Sequence, residues 1–321
     1  TQETILVPDD YPTIQAAIDA AYRGDTIFAR AGIYYERVVV NKALRLIGEN
    51  ADTTVIDGDG QNVITIRTDN VEIINFTIRS FSEQGWVNLE DTFYGIYICS
   101  GNNCSIVGNK IVYNQRGIYL QCSSNNTLNG NVVTSNGCGI YLEHSSHNIF
   151  RSNNITNNNF GITGCELSHF VQDVDFTNTL NGKPICYWVN RQSEEVPLDA
   201  GYVALVTCRN ITVKELELEA ILLVSTTDST IEGIKIQNKT SGGILLWNCF
   251  NNTICRNDIT NTGQGICLQY SSNNSICENT LLNVLDAIEL FTSCDNIICE
   301  NTILHDEWDI YHENGISLGS F

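Results

Sequence analysis

The sequence predicts an all-β protein: a right-handed, single-stranded parallel β-helix, wound as a solenoid from coils of about 22 residues, with a short N-terminal capping helix. Three observations lead to this prediction. Similar segments return at a fixed spacing, apolar residues alternate with polar ones inside each segment, and an asparagine recurs at one fixed place. Short alternating stretches separated by Asn, Ser and Gly are typical of strands joined by turns rather than of helices.

The repeat is clearest in three consecutive segments, which begin at Tyr94, Arg116 and Cys138, each 22 residues after the last. The pattern returns in segments that begin at Gly242, Gln264 and Asp286, and in a partial copy from Trp308. A propeller blade or a helical repeat needs a longer unit, so a solenoid fits this period better.

The apolar places of one copy predict its core. In the second copy they are Ile118, Leu120, Leu128 and Val133, and we expect Tyr119 to be exposed between the first two. A single copy holds too few apolar residues to fold alone. Coils stacked ~4.8 Å apart would give every strand a parallel partner and create one continuous core.

An asparagine occupies place sixteen of six copies, where its amide can bond to the equivalent amides in the coils above and below. The predicted ladder consists of Asn109, Asn131, Asn153, Asn257, Asn279 and Asn301. Phe76, Leu216 and Ile234 take this place in other coils, where an apolar corner replaces the amide. We interpret the ladder as structural rather than as a binding site.

Residues 1–24 are predicted to form a strand and a capping helix. Pro12 opens a stretch in which Ile14, Ala17 and Ile18 share one face. A cover of this kind is needed because the raw edge of a stacked sheet pairs with other chains.

The N-terminal sequence resembles the opening of NosD-like proteins over VPDDYPTIQAAIDAAYRGDTIFARAGIYYERVVVNKALRLIGENADTTVIDG. These proteins belong to the pectate-lyase-like superfamily of right-handed β-helices, which is common among archaeal and bacterial surface proteins. The stretches NTLNGKPICYWVN and DAGYVALVTCRNITVKELEL resemble the mid-chain segment of the same family. The resemblance implies a β-helix over 25–321 with an excursion between coils at about 165–200. It implies little about function, because this fold carries lyases, hydrolases, esterases, adhesins and structural proteins.

Composition excludes some partners. The 321 residues include 17 Lys plus Arg against 37 Asp plus Glu, a formal net charge of −20. Such a surface repels phosphate backbones and anionic headgroups, so we expect no nucleic-acid partner. No apolar run approaches the ~20 residues that span a bilayer, so we expect no membrane insertion.

Several features favour an extracellular protein of the cell envelope or surface. The chain begins at Thr1 without any Met, which indicates a processed N-terminus, and its 13 Cys fit an oxidising location. Eight Asn-X-Ser/Thr sequons are candidate glycosylation sites, although Asn-rich turns also create them by chance. These sequons are Asn75, Asn103, Asn125, Asn154, Asn210, Asn238, Asn251 and Asn273.

Two columns of side chains are candidates for binding or assembly. Cys255, Cys277 and Cys299 share place fourteen, and one adjacent pair can form a disulfide because strand spacing falls within the Cα range of ~4.4–6.8 Å that the bond requires. The odd Cys total leaves at least one thiol without a partner in the chain, available as a free or metal-binding thiol or for a bond to a second molecule. Tyr97, Tyr119 and Tyr141 share place four and form an outward stack that either binds sugar rings or another subunit, or only stiffens the sheet.

No catalytic residues are assigned. The sequence contains no residue set typical of lyases, polygalacturonases or esterases of this fold. We interpret its clusters of Asp and Glu as solvent-exposed outer faces. DGDGQN, with Asp57 and Asp59, matches only a fragment of a calcium loop, so calcium is a candidate and no cofactor is assigned. Copper sites favour His, Met or thiolate ligands; the chain has no Met and five scattered His, so no metal site is assigned.

The function predicted from these features is that of an exported structural protein that assembles with copies of itself into a sheath, surface layer or filament. Coil-end contacts and disulfides would hold the array, since no capping helix follows Trp308. The first alternative is a carbohydrate-active enzyme, a polysaccharide lyase or hydrolase. The second is a sugar-binding adhesin with cell-surface polysaccharide as its partner.

Overall fold

The computed structural model describes residues 2–80, 93–239, 242–304 and 308–313, the last of these for the backbone alone. The chain forms two compact units, Thr1–Gly182 and Lys183–Phe321. Each is a right-handed parallel β-solenoid, and together they comprise about 13 turns. The predicted fold class is therefore confirmed. No helix in the described residues is long and apolar enough to cross a membrane.

The first unit contains one α-helix, whose residues cover the start of the solenoid. The elements of its described part are β1 (Thr4–Val7), α1 (Ile14–Ala20), β2 (Thr26–Ala29), β3 (Gly32–Tyr35), β4 (Val38–Val40), β5 (Arg45–Gly48), β6 (Thr54–Asp57), β7 (Ile64–Ile66), β8 (Glu72–Ile74), β9 (Thr77–Arg79), β10 (Tyr94–Cys99), β11 (Ser105–Val107), β12 (Lys110–Val112), β13 (Arg116–Gln121), β14 (Thr127–Asn129), β15 (Val132–Thr134), β16 (Cys138–Glu143), β17 (Ile149–Arg151), β18 (Asn154–Thr156), β19 (Phe160–Thr163), a 3-10 helix (Leu167–Phe170), β20 (Asp173–Val174) and β21 (Thr179–Leu180).

Helix α1 begins where the sequence provides a cap. The Thr13 side chain accepts a hydrogen bond from the Ala16 N–H at 3.1 Å, which satisfies one of the free donors of the first turn. Ile14, Ala17 and Ile18 are fully buried, as the apolar face predicts. The helix ends at Ala20, within the segment 1–24 predicted to hold it.

Three parallel sheets form the first unit, and each coil contributes one strand to each sheet. Their strand orders are β1-β2-β5-β8-β11-β14-β17-β20, β4-β7-β10-β13-β16-β19 and β3-β6-β9-β12-β15-β18-β21. Equivalent places lie opposite one another, so that Ile96 pairs with Ile118 and Ile118 with Ile140. Ile118, Leu120, Leu128 and Val133 are 0% exposed, which confirms the predicted core. Each fully buried aliphatic side chain contributes about 1.5–3 kcal/mol.

The second unit has the same kind of coil. Its elements are β22 (Lys183–Val189), β23 (Tyr202–Val206), β24 (Thr212–Lys214), β25 (Ile221–Val224), β26 (Thr230–Glu232), β27 (Lys235–Lys239), β28 (Ile244–Trp247), β29 (Thr253–Cys255), β30 (Asp258–Gln269), β31 (Ser275–Cys277), β32 (Thr280–Phe291), β33 (Ile297–Cys299), β34 (Thr302–Leu304) and β35 (Trp308–Glu313). Its strands follow the orders β22-β23-β25-β28-β30-β32-β34, with β27 on β30 and β35 on β32, and β24-β26-β29-β31-β33.

The segment 165–200, predicted to be an excursion between coils, contains a 3-10 helix and the strands β20, β21 and β22. In the first unit, β20 pairs with β17 and β21 pairs with β18, while in the second unit β22 pairs with β23. Isolated bridges join Gln192 to Arg209 and Glu195 to Thr212. The sequence loses its 22-residue pattern here, yet the backbone continues to supply coil strands. The predicted end of the solenoid, 314–321, lies outside the described residues.

The asparagines of place sixteen bond along the solenoid axis. Asn109 Nδ2 donates to Asn131 Oδ1 at 3.3 Å, Asn131 donates to Asn153 at 2.9 Å, and the series continues to Asn178 at 2.8 Å. In the second unit, the same bonds at 2.9 Å join Asn257, Asn279 and Asn301. Each Nδ2 also donates to a backbone carbonyl of an adjacent coil, so the amides satisfy buried backbone groups as well as one another.

Further ladders exist that the sequence reasoning missed. Asn126 Nδ2 donates to Asn148 Oδ1 at 3.1 Å at one turn, and Asn114 Nδ2 donates to Asn136 Oδ1 at 3.0 Å at another. Both recur at a spacing of 22, which is the signal that would have found them. Asparagine ladders therefore stabilise the interior at several places in each coil.

The sequons lie at turns. Seven of the eight have an Asn with a φ between 54° and 59°, the left-handed region that Asn tolerates better than most residues; Asn154 is the exception. Asn75 is half-buried and the other seven are exposed. Turn geometry alone thus accounts for Asn at seven of these positions.

Candidate functional site: a tyrosine face on the first unit

The tyrosines of place four lie side by side on the outer surface of β10, β13 and β16. Tyr97 pairs in register with Tyr119, and Tyr119 with Tyr141. Their ring centroids are 5.3 Å and 5.9 Å apart. Tyr119 points outward but is only 4% exposed, so the expectation of an exposed ring is wrong. Its neighbours cover it.

Two of those neighbours come from place one of the same strands. Tyr94 stacks on Tyr97 at 4.8 Å and on Tyr119 at 5.1 Å, with the planes of Tyr94 and Tyr119 only 10° apart. The Arg116 guanidinium carbon lies 5.1 Å from the Tyr119 ring centroid and 5.3 Å from that of Tyr141. We call Tyr94, Tyr97, Arg116, Tyr119 and Tyr141 the tyrosine face.

The cation and the rings stabilise one another. A guanidinium over an aromatic ring contributes about 0.5–2 kcal/mol, with the larger value where water is excluded. Sequence reasoning missed Tyr94 and Arg116 because it followed one place along the coils. Places one and four of a strand fall three residues apart, and the long side chains lean across the intervening Gly to meet.

Hydroxyl groups link this face to the next column. The Tyr97 hydroxyl donates to Gln121, and the Tyr119 hydroxyl donates to Glu143. Each bond joins residues 24 apart in the sequence, which is one 22-residue coil plus two residues. This diagonal spacing could have been recognised in the sequence. Burial raises the pKa of both tyrosines, and the Glu143 carboxylate raises the pKa of Tyr119 further. Both phenols therefore remain neutral donors.

Two histidines lie beyond Glu143. Its Oε1 is 3.8 Å from His144 Nδ1, and the His144 and His169 rings meet edge to face at 5.2 Å. Desolvation, followed by the neighbouring His144, lowers the pKa of His169. His169 Nδ1 accepts a hydrogen bond from the Glu166 N–H at 3.3 Å, which fixes its ring against the 3-10 helix. His144 and His169 were not connected in the sequence reasoning, because they lie 25 residues apart.

The face and its polar border combine a guanidinium, a carboxylate, an amide, phenols and imidazoles on one outer surface. Such groups donate and accept hydrogen bonds in several directions beside apolar ring edges. This combination suits a polyhydroxylated ligand better than an apolar one.

The cysteine column lies in the second unit. Cys277 and Cys299 form a disulfide with Cα atoms 4.7 Å apart. Cys255 pairs in register with Cys277 but remains a free thiol and is 7% exposed. Desolvation raises its pKa, and Arg256 acts in the opposite direction. The exposed free thiols are Cys122, Cys165 and Cys294 instead.

The acidic candidates are engaged in ion pairs. Asp57 is 4% exposed, and its Oδ2 accepts from Arg79 Nε at 2.8 Å while its Oδ1 accepts from the Asp59 N–H at 3.1 Å. Both carboxylate oxygens of Asp57 thus already accept hydrogen bonds within the protein. Two acids of the second unit also form ion pairs: Glu195 lies 3.2 Å from Lys214, and Glu219 lies 2.8 Å from Lys239.

The fold and this surface define a parallel β-solenoid with an aromatic outer face. The chain belongs to the NosD family: the family model described as "periplasmic copper-binding protein (NosD)" matches residues 18–182 and 200–318. No curated protein matches the sequence at a significant level.

The chain is also similar to several solved structures at low identity. The A-module of a mannuronan C-5 epimerase from Azotobacter vinelandii is 16% identical, covers 96% of this chain and 94% of its own, and has a TM-score of 0.42. The Dettilon tailspike protein is 13% identical over 96% and 68% of the two chains, with a TM-score of 0.46. The DFA-IIIase of Arthrobacter chlorophenolicus is 12% identical over 95% and 85%, with a TM-score of 0.46. We draw no functional conclusion from likeness at this level.

The family description makes copper a cofactor to test. Within the described residues, no group of three or more His, Cys, Asp or Glu side chains is arranged to hold a metal ion. The rings of His144 and His169 meet edge to face, and His169 Nδ1 is already hydrogen-bonded. These residues do not fit a copper site.

Proposed function

We propose that this NosD-family protein is exported and acts in the cell envelope by binding a neutral polysaccharide on its tyrosine face. One observation carries the proposal: four tyrosine rings, Arg116 and Glu143 gather on the outer side of three consecutive strands. Three features support export: the periplasmic description of the family, the 13 Cys and the disulfide.

The chemistry of the face favours a sugar chain. The rings stack on one another, so they offer edges rather than free faces to a ligand. Sugar hydroxyls can accept from the Arg116 guanidinium and donate to the Glu143 carboxylate, and charge-assisted bonds of this kind are among the stronger ones. Because equivalent side chains recur every ~4.8 Å along the solenoid, an extended ligand can contact several coils. The net charge of −20 opposes polyanions, so a neutral chain fits this face better than an anionic one.

Titration calorimetry with soluble neutral glucans and mannans, and with polygalacturonate as the anionic comparison, tests this function. Arg116→Gln should weaken binding about tenfold, or ~1.4 kcal/mol. Arg256→Gln is the matched control, because Arg256 is a surface arginine of the second unit that pairs with Glu232. Binding by no neutral polysaccharide, or equal effects of both substitutions, would overturn the proposal. Release of sugar products from a bound chain would favour the carbohydrate-active enzyme instead.

Self-assembly into a sheath, layer or filament is a second candidate, favoured by the exposed thiols Cys122, Cys165 and Cys294. A disulfide from one of them to a second molecule would join copies without using the Cys277–Cys299 bond. Envelope material run on a denaturing gel without reductant should then show multimers, which Cys122→Ser, Cys165→Ser or Cys294→Ser reduces. Cys104→Ser is the control, because Cys104 is buried. Monomers in every lane would exclude a covalent array.

A further inference from the structure

The cysteine column of the second unit contains one more sulfur than its disulfide uses. Cys255 lies at the end of β29, Cys277 at the end of β31 and Cys299 at the end of β33. The register places Cys255 beside Cys277 and Cys277 beside Cys299. The central sulfur therefore has a neighbouring cysteine on each side, and only one of the two is bonded to it.

The two possible disulfides occupy equivalent register positions in adjacent strands. Parallel strands are ~4.8 Å apart, and disulfides require Cα separations of ~4.4–6.8 Å. The existing pair has a Cα separation of 4.7 Å. Cys255 and Cys277 occupy the same kind of register pair in adjacent strands of the same sheet, so the second bond needs no rearrangement of the coils. Cys255 and Cys299 are two strands apart and cannot bond directly.

We propose that Cys255, Cys277 and Cys299 form a thiol–disulfide exchange site, in which the bond moves between Cys277–Cys299 and Cys255–Cys277. The Cys255 thiolate attacks the Cys277 sulfur from the side opposite Cys299. A bond forms between Cys255 and Cys277, the bond between Cys277 and Cys299 breaks, and Cys299 leaves as a thiolate that takes up a proton. The numbers of thiols and disulfides are unchanged, so the step needs no oxidant or reductant.

The exchange changes which sulfur solvent can reach. Cys255 is buried at 7% exposure, whereas Cys299 is only half-buried. In the Cys277–Cys299 state the free thiol is the buried Cys255. In the Cys255–Cys277 state the free thiol is Cys299, which solvent can reach. That thiol is a site for alkylation, or for mixed-disulfide formation with a small disulfide or a second protein. The inference does not depend on polysaccharide binding.

The test is to trap the thiol of the second state. The oxidised full-length protein is incubated, folded, with iodoacetamide at mildly alkaline pH, and the remaining thiols are then blocked in acid with N-ethylmaleimide. Digestion without reduction, by trypsin and a glutamate-specific protease together, cuts after Arg256, Glu278 and Glu289 and so separates the three cysteines onto different peptides. We expect carboxamidomethyl-Cys299 to accumulate together with a Cys255–Cys277 peptide pair.

Two variants make the result specific. In Cys255→Ser, the modification of Cys299 should be lost, because nothing displaces it from Cys277. In Cys294→Ser, the matched control on the same peptide as Cys299, the modification should be unchanged. A wild-type protein in which Cys299 stays bonded to Cys277 throughout, with Cys255 the alkylated residue, would overturn the proposal even if a variant failed to fold. Equal Cys299 modification in wild type and Cys255→Ser would do the same.

Discussion

The two units have the same interior and different outer surfaces. At place four, the first unit carries Tyr97, Tyr119 and Tyr141, whereas the register column of the second unit is Leu245, Cys267 and Glu289. Inside, both units bury Ile or Leu at places three and five and join asparagines along the axis.

This difference shows which positions the coil itself constrains. A side chain that points inward must fill the core or satisfy a buried backbone group, so few residue types fit. A side chain that points outward meets only other outward side chains, on its own strand or one coil away. The first unit fills its outward column with stacked aromatic rings around a cation. In the second unit, the neighbours are a thiol and a carboxyl group: burial and then Glu289 raise the pKa of Cys267 to about 12.

If the two interiors are equivalent, truncating a core side chain at the same place in each unit should lower the free energy of unfolding by the same amount. Leu120→Ala in the first unit and Leu268→Ala in the second each remove a fully buried place-five side chain. Each should lower the free energy of unfolding by about 2–5 kcal/mol, because a cavity remains where the side chain was. Urea unfolding followed by circular dichroism measures both. A loss below about 1 kcal/mol in one unit only would show that its core is packed differently.

The asparagine ladders should give the next largest effect. Asn131→Ala and Asn279→Ala each leave buried donors and acceptors without partners, at about 1–3 kcal/mol for each unsatisfied group. Asn154→Ala is the control, because Asn154 is exposed and lies outside the left-handed region. Equal unfolding midpoints for Asn131→Ala and Asn154→Ala would contradict a structural role for the ladder.

A smaller effect is expected on the outer face. Tyr119→Phe keeps the ring stack and removes only the hydroxyl that donates to Glu143. We expect a loss of about 1 kcal/mol in unfolding free energy. Tyr35→Phe, at a tyrosine that is 70% exposed, should change it little. Identical stabilities for the two variants would mean that the Tyr119–Glu143 bond contributes nothing measurable.

The smallest effects concern pH, and they should have opposite signs in the two units. The pKa of His169 lies below its usual 6.5, so stability is lost as pH falls through that lowered pKa. The pKa of Glu289 lies above its usual 4.5, through burial and then Asp286, so stability is lost as pH rises through that raised pKa. His169→Gln and Glu289→Gln should each flatten the matching part of a curve of unfolding free energy against pH. Unchanged slopes in both variants would refute these assignments.

The sequence alone predicts features that depend on period. A spacing of 22 places Leu120 and Val133 inside and brings Asn131 beside Asn153, because stacking follows directly from the repeat. Contacts between long side chains at different places of the coil were not predicted. Tyr119 was expected to be exposed, but Tyr94 and Arg116 lean across the strand and cover it.

Other features lie outside the repeat altogether. The coil strands within 165–200 have no 22-residue signature, because their pairing depends on backbone hydrogen bonds rather than on repeated side chains. The choice between the two neighbouring cysteine pairs of the column is also invisible in the sequence, since both have the same spacing.

The two outer faces are proposed to differ in polysaccharide binding as well as in composition, and hydrogen–deuterium exchange with and without a neutral polysaccharide tests this most directly. The peptides that contain β10, β13 and β16 should gain protection, because the ligand contacts Arg116, Glu143 and the tyrosine edges. Those that contain β28, β30 and β32 should exchange at unchanged rates. Protection of the second unit alone, or protection of neither unit under saturating polysaccharide, would contradict the claim.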